Sequence, residues 1–271
     1  MALINKNHPI LDVEEVESAL KVVDQAIREL SDNLIGVGVD HINKIVGDLS
    51  DYDIYHLRDN IMYRVHSIRF HLVLLLRTRQ HNEVKIHSGH PHKAILMNAQ
   101  RDEQMAVFES IVFHSCSLFD YLGNIVDYVA AGHKRKKLQW RGAAKAARDK
   151  NNPLHNSPLA TTIDKHSRQW IDKLYDYRSD LIHFKSDPCD VIYTHTGRDG
   201  KHEIIVFAPS RFVKSIAVLR EKSKTHKLSL LFAAFWLVEY STNSTLDIIG
   251  DLREHMEMNR RVKEEEDQLF R

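Results

Sequence analysis

One run of residues beyond the middle of the chain carries the strongest structural signal: Trp170-Ile171-Asp172-Lys173-Leu174-Tyr175-Asp176-Tyr177-Arg178-Ser179-Asp180-Leu181-Ile182-His183-Phe184. Its apolar residues recur at the three- and four-residue spacing of a buried helical face, namely Ile171, Leu174, Tyr175, Leu181 and Ile182. At about 100° per residue, Arg178 falls inside this stripe, between Leu174 and Ile182. A guanidinium cannot shed its charge, and an unpaired buried charge is costly. Arg178 is therefore expected to meet a carboxylate, a partner surface or a polar cavity.

The spacing of Arg178 and His183, with four residues between them, matches a known motif. The stretch resembles the R-x(4–6)-H motif of the HEPN superfamily, whose members are helical nucleotide-binding and RNase domains. In that family the Arg and His lie near the start of a late helix, commonly at a dimer cleft, and are thought to act on RNA without metal. The resemblance covers roughly residues 100–185 and includes two runs of the preceding helix: Phe108-Glu109-Ser110-Ile111 and Phe119-Asp120-Tyr121-Leu122.

The resemblance implies a role for each matched residue. Arg178 would stabilise charge on the phosphate, and His183 would act as acid or base. Ser179 and Asp180 fill the usually polar positions after the Arg. The family further implies a homodimer, RNA as a partner and a setting in toxin action or phage defence. Acids beside the apolar stripe of the preceding helix are the nearest candidates for pairing with the guanidinium: Glu109, Asp120 and Asp127.

The chemistry available to this pair is minimal but sufficient for phosphoryl transfer. The reaction needs a group that moves a proton and a cation that stabilises developing charge, and His183 and Arg178 supply them. Five residues, however, separate the two side chains by about 140° around a helix axis. A shared site therefore needs a long reach by Arg178, a local irregularity, or a second copy of the helix. The alternative is a non-catalytic helix for dimerisation or for binding a nucleotide or RNA, with Arg178 paired to a buried acid.

Composition predicts a globular protein without a strong electrostatic preference. The 271 residues are 43% hydrophobic, which suffices for a core, and we expect a single helical domain over residues 1–271. The 38 Lys and Arg nearly balance the 37 Asp and Glu, leaving a formal charge of +1. A balanced charge counts against specific, high-affinity DNA binding, because such proteins carry a basic field. A ribonuclease needs only a local positive cleft.

Several common functional patterns are missing from the sequence. Cys116 and Cys189 form neither a disulfide framework nor a zinc pattern, so a reducing cytoplasm is expected. No apolar stretch has the length of a membrane span, and no Gly-rich phosphate loop, GxSxG or HExxH occurs. Neither a cofactor nor a metal is expected. The three histidines of a predicted loop are interpreted as solvated and dispensable rather than as ligands: His87, His90 and His92.

Apolar periodicity predicts a mainly α protein, a bundle of long antiparallel helices with an HEPN-like core over about 98–187. Gly36 and Gly38 are expected to interrupt or kink the first helix, and Thr161 or Thr162 to start the helix of Arg178. C-terminal helices are expected over about 210–265, the first of them at about Ser210–Ser223. The other predicted elements are helices at about Asp12–Val46, Asp53–Arg79 and Asn98–Ala131, and a loop at Gln80–Lys93.

The segment at about 190–207 is predicted to be a β-hairpin. Two β-rich runs flank the turn sequence Gly197-Arg198-Asp199-Gly200. Because an isolated hairpin is marginally stable, it should pack on the helices.

The most positive part of the chain precedes Trp140. Its cations could bind RNA phosphates, or they could complement the C-terminal end of a helix dipole. The candidate phosphate-binding residues are Lys134, Arg135, Lys136 and Lys137.

Overall fold

The computed structural model describes residues 13–41, 52–87, 93–131, 139–183, 189–196 and 201–269. These residues form a mainly α protein with one β-hairpin, which confirms the predicted fold class. No helix in the described ranges combines the length and the hydropathy needed to cross a membrane. The helices are α1 Val13–Asp40, α2 Tyr52–His87, α3 Lys93–Ala131, α4 Trp140–Arg148, α5 Pro158–His166, α6 Asp172–Ile182, α7 Ser210–Ser215, α8 Ala217–Lys222 and α9 Leu230–Leu269.

The chain forms two compact units, each assembled from three separate segments. The first unit comprises Met1–Val22, His66–Cys116 and Lys173–Tyr240. The second unit comprises Val23–Val65, Ser117–Asp172 and Ser241–Arg271. Because these segments alternate along the chain, neither unit corresponds to a continuous stretch of sequence. The single domain and its HEPN-like core over about 98–187 stay predictions.

The core of the first unit contains three aromatic rings in contact. The ring of Phe212 lies 5.1 Å from that of Phe108 and 5.2 Å from that of Tyr177, measured between centroids. Both contacts are edge-to-face, the arrangement that aromatic quadrupoles favour. Helices α3, α6 and α7 each contribute one ring to this cluster. Aliphatic side chains of the same unit are fully buried: Leu72, Ile111, Leu174 and Leu219.

The hairpin belongs to the first unit and occupies the predicted place. Strands β1 (Val191–Thr196) and β2 (Lys201–Val206) pair antiparallel, with Val191 opposite Val206 and Thr196 opposite Lys201. The chain then pairs with the segment before α9, because the N–H of Ala208 donates to the carbonyl of Leu228 at 2.9 Å. This contact holds the hairpin against the helical part of the unit, as expected for two strands that are marginal alone.

The core of the second unit is built around Phe119 of α3. Its ring lies 5.3 Å from Trp140 and 5.2 Å from Trp170, and both contacts are edge-to-face. All three side chains are buried. The rings come from α3, from the first residue of α4 and from the segment after α5, so this cluster ties three separate elements together.

The predicted interruption of the first helix at its glycines is wrong, while the alternative of a kink stays a prediction. Helix α1 passes through Gly36 and Gly38 without interruption. A Cβ at Gly36 would lie 2.8 Å from the guanidinium carbon of Arg253, whose Nη1 donates to Asn33 Oδ1 at 2.8 Å. The missing side chain of Gly36 therefore admits an arginine of α9, and this close approach explains the glycine.

The predicted loop at Gln80–Lys93 is wrong over its first half, because α2 continues to His87. Polar residues with straight side chains, such as Gln80, Glu83 and Lys85, have high helix propensity, so polarity alone did not indicate a loop. His87 ends the helix, and His90 and His92 lie outside the described residues. The dispensability of these histidines stays a prediction.

The helix of Arg178 begins earlier than predicted, at Pro158 rather than at Thr161 or Thr162. Ser157 is its N-cap, with an Oγ that accepts the N–H of Ala160 at 3.2 Å, and a proline suits the first helical position. After α5, residues Ser167–Ile171 form a π-helical segment that leads into α6.

The single helix predicted at about Ser210–Ser223 is also wrong, because it is divided into α7 and α8. Ile216 lies between them in an extended conformation, with φ −103° and ψ 117°. Its side chain is buried. An apolar residue that fits the helical spacing can therefore be buried in the core even where the helix is interrupted.

Candidate functional site

Helix α6 packs antiparallel on α3 within the first unit. The hydroxyl of Tyr175 donates to the carbonyl of Cys116 at 2.8 Å. Three residues later along α6, the guanidinium carbon of Arg178 lies 5.7 Å from the centroid of the Phe113 ring, three residues earlier along α3. Because both helices rise equally per residue, these two contacts fix the direction and the register of the pair.

The apolar stripe predicted around Arg178 is correct at its start and wrong at its end. Ile171 and Leu174 are buried, but Ile182 is 48% exposed and Tyr177 is buried in the aromatic cluster. Tyr177 lies three residues after Leu174 and shares its face of α6, a position that the predicted stripe left out. Helix α6 also ends at Ile182, where fewer neighbours cover a side chain.

Arg178 is half-buried, and its Nε is buried without a hydrogen-bond partner among the described residues. Its guanidinium stacks on Phe113, and no carboxylate in the described ranges forms an ion pair with it. The predicted candidate Asp120 belongs to the second unit, where its Oδ1 accepts the backbone N–H of Trp140 at 3.3 Å. A cation–π contact offsets only part of the cost of removing a cation from water.

Glu109 lies one helical turn before Phe113 on α3, and residues four apart share a helix face. Its side chain is half-buried. Burial raises the pKa of the Glu109 carboxyl, and no described cation offsets that effect. The site therefore contains a carboxyl group that is easier to protonate than an exposed glutamate.

His183 follows α6 in an exposed turn, and its backbone N–H donates to the carbonyl of Ser179 at 3.1 Å. Ser179 is exposed and Asp180 is half-buried. Arg178 thus lies in the last turns of α6 and His183 directly after its end, whereas the family that the sequence resembles has the motif near the start of a helix. The backbone hydrogen bond from His183 to Ser179 spans four residues, as in an α-helix. The side chains of Arg178 and His183 are therefore still separated by about 140° around the helix axis.

Other predicted site residues fall outside the described part of the chain. These are the candidate phosphate-binding residues Lys134, Arg135, Lys136 and Lys137. Within the described ranges, no group of three or more His, Cys, Asp or Glu side chains is placed to hold a metal ion.

A polar network around the π-helical segment of the second unit was not predicted from the sequence. Arg148 of α4 donates from Nε to Asp164 and from Nη2 to Ser167 Oγ at 3.0 Å. Ser167 in turn donates to Asp172 Oδ1 at 2.7 Å. Burial acts to raise the pKa of Asp164, but hydrogen bonds from Arg148 and Arg168 lower it below its usual value. The network fixes α4 against the helix that leads to α6.

A second part of this network joins α5 to α9. His166 Nε2 lies 3.1 Å from Asp247 Oδ2, and Ser244 Oγ lies 3.1 Å from His166 Nδ1. The hydrogen bond from His166 lowers the pKa of Asp247. Ser, His and Asp in this order suggest a hydrolytic triad, but Ser244 is 2% exposed while the side chain of Asp247 is 54% exposed. A nucleophile has to reach its substrate, so this arrangement is structural.

No local sequence pattern could have revealed this network, because Ser244 and Asp247 lie 78 and 81 residues after His166. Arg148 and Asp164 are 16 residues apart and in different helices. Comparison with known proteins adds no further assignment: no family model, no curated protein and no solved structure matches the chain.

Proposed function

We propose that this chain is an HEPN-like helical protein that cleaves RNA without a metal, with Arg178 and His183 at the chemical site. The observation that best supports this function is the state of Arg178. Its guanidinium is half-buried, stacks on Phe113, and leaves Nε without a hydrogen-bond partner among the described residues. A guanidinium in this state can donate two parallel hydrogen bonds to phosphate oxygens.

His183 supplies the group that moves protons. Its side chain is exposed in the turn after α6, so it can reach a substrate and exchange protons with water. Imidazole is the side chain most often used for this task. Lys134, Arg135, Lys136 and Lys137 are proposed to contribute further phosphate contacts.

A homodimer is part of the proposal, because Ile182 at the end of α6 exposes 48% of its surface beside His183. A two-fold symmetric contact is the commonest assembly of identical chains. Such a contact would cover Ile182 and bring His183 of one chain near Arg178 of the other. That geometry removes the obstacle of their separation by about 140° within one helix.

The separation of about 140° between Arg178 and His183 also supports a second candidate function, which is binding without catalysis. If Arg178 and His183 serve different surfaces, the site binds RNA or a nucleotide, or holds a dimer together, without cleaving. The two functions predict different results with the same purified protein.

The test is the cleavage of a fluorescent single-stranded RNA by purified protein in EDTA. We expect cleavage by the wild type and a loss of about 10²–10⁴-fold in rate for His183→Ala, which removes the proton-transfer group. Arg178→Ala should lose a comparable factor. His226→Ala is the matched control, because His226 is an exposed histidine of the same unit and should leave the rate unchanged.

Mixing the two variants tests the dimer. A composite site regains part of the activity when Arg178→Ala and His183→Ala chains exchange, whereas a site within one chain regains none. Wild-type protein that binds RNA without cleaving it would establish the second candidate instead. Equal cleavage by His183→Ala and wild type would reject the proposed mechanism.

A further inference from the structure

The register of α6 on α3 places a third chemical group at the site. Tyr175 contacts residue 116, and Arg178 contacts residue 113. One further turn along both helices brings Glu109 opposite Ile182, beside the end of α6 that carries His183. From the sequence, Glu109 was expected only as a partner for the guanidinium of Arg178.

Cys189 contacts α3 one helical turn before Glu109. The thiol of Cys189, just before β1, donates to the sulfur of Met105, which lies one turn before Glu109 on α3. Met105, Glu109 and Phe113 are spaced by four residues and form one stripe of the helix. Glu109 therefore lies between the residue that contacts Cys189 and the residue that contacts Arg178.

We propose that Glu109 is a catalytic residue of this site and that it acts as the general base while His183 acts as the general acid. The inference rests on the proposed ribonuclease function and assigns the two proton transfers within it. Glu109 has no ion-pair partner among the described residues, so its carboxylate oxygens can accept a proton from a substrate hydroxyl.

The balanced step is a transesterification of the RNA backbone. The carboxylate of Glu109 takes the proton of a ribose 2′-hydroxyl, and the 2′ oxygen attacks the adjacent phosphorus. The bond between phosphorus and the 5′ oxygen breaks, and that oxygen takes a proton from the imidazolium of His183. Arg178 stabilises the charge on the non-bridging oxygens. The products are a 2′,3′-cyclic phosphate and a 5′-hydroxyl, and exchange with water restores both proton-transfer groups.

The pH dependence of cleavage is the readout specific to this role. The rate should rise with pH as Glu109 loses its proton, and burial places the pKa of that carboxyl above the ordinary glutamate range. Glu109→Gln should lose at least about 10²-fold in rate and the acidic limb of the profile.

Three controls separate catalysis from folding and binding. Glu103→Gln alters an exposed glutamate of the same helix and should match the wild type. Glu109→Asp keeps the carboxylate and should retain more activity than Glu109→Gln. Binding of a 2′-deoxy oligonucleotide, which lacks the attacking hydroxyl, should be as tight for Glu109→Gln as for the wild type.

The results distinguish this inference from the proposed function. Cleavage by Glu109→Gln within about twofold of the wild type, with the acidic limb intact and His183→Ala inactive, would overturn the role of Glu109 and leave the ribonuclease in place. A wild type that cleaves no RNA would overturn both. Loss of 2′-deoxy oligonucleotide binding together with cleavage would also overturn the catalytic role, because a base acts on a substrate already bound.

Discussion

Arg148 in the second unit is an exposed arginine and Arg178 in the first unit is a half-buried one, and the surroundings of their guanidinium groups differ. Arg148 donates to Asp164 and to Ser167 and lies 3.5 Å from Asp172. Arg178 stacks on a phenylalanine ring, and its Nε has no partner in the described part of the chain. The same residue type is thus saturated with partners in one unit and available to a ligand in the other.

The difference separates a charge that has partners within the protein from one that we propose serves a ligand. Arg148 keeps its contact with water and also has acidic partners, whereas the cost of removing a charge from water is offset only when its hydrogen bonds are replaced. In the first unit, the free-energy cost of partial burial is not offset at Arg178. It is not offset at Glu109 either, whose pKa is raised by burial. Proteins tolerate such costs mainly where a substrate supplies the missing partner.

Both units have a buried cluster of three aromatic rings. Substitutions in these clusters have the largest effects that we expect on stability. Phe119→Ala and Phe212→Ala each remove a buried ring that contacts two others. Each should lower the free energy of unfolding by about 3–5 kcal/mol, measured by chemical denaturation. Phe70→Ala is the control, because Phe70 is 59% exposed. A loss below about 1 kcal/mol for either variant would show that its ring cluster is not a core.

Arg148→Ala sharpens the contrast between the two arginines. It removes the cation that Asp164 and Asp172 share, and an ion pair between partly exposed side chains contributes about 0.2–1 kcal/mol. We expect a loss of that size in the free energy of unfolding and no change in RNA cleavage at temperatures where the variant is folded. Lys145→Ala, at an exposed position of the same helix, is the control. An active-site effect of Arg148→Ala on a fully folded protein would break the contrast.

Glu109→Gln has a smaller effect on stability, with a sign fixed by the raised pKa. The folded state favours the protonated carboxyl of Glu109. Its contribution to stability is fully present below the pKa that the group has in the unfolded chain, and it is lost as the pH rises through the pKa that it has in the folded protein. The variant should therefore melt higher than the wild type at about pH 7 and equally at about pH 3, below the ordinary glutamate pKa. The other acidic residues are the same in the variant and the wild type, so their effects on the melting temperature cancel in the comparison. A variant that melts lower at neutral pH would mean that Glu109 has a stabilising partner.

Much of the fold is encoded in local pattern. The three- and four-residue spacing of apolar residues predicted α1, α2 and α3, and the Gly197-Arg198-Asp199-Gly200 turn between β-rich runs predicted the hairpin. Errors arose where tertiary packing decides the outcome. Gly36 looked like a helix breaker, but an arginine of α9 fills its side-chain space. A sequence does not show a neighbour that approaches from a distant part of the chain.

The candidate site was predictable as a set of residues, though its geometry was not. Arg178 stood out because a charge interrupted an apolar stripe, and this observation needed no structure. The π-helical segment at Ser167–Ile171 changes the helical phase, and no propensity rule predicts it. The burial of Tyr177 depends on contact with Phe212 from a distant part of the chain, and the exposure of Ile182 depends on the end of α6, so a local pattern showed neither. Glu109 was named as a partner of Arg178, and only the helix register places it beside the end of α6.

The most direct test is the binding of a single-stranded RNA to Arg178→Met, measured by fluorescence anisotropy over a range of salt concentrations and accompanied by thermal melting. Methionine keeps an apolar contact with Phe113 but removes the charge. We predict RNA binding weaker by at least about tenfold, a salt dependence reduced by about one phosphate contact, and a melting temperature equal to or above that of the wild type. Unchanged RNA binding together with a lower melting temperature would contradict the account, because Arg178 would then serve the fold as Arg148 does.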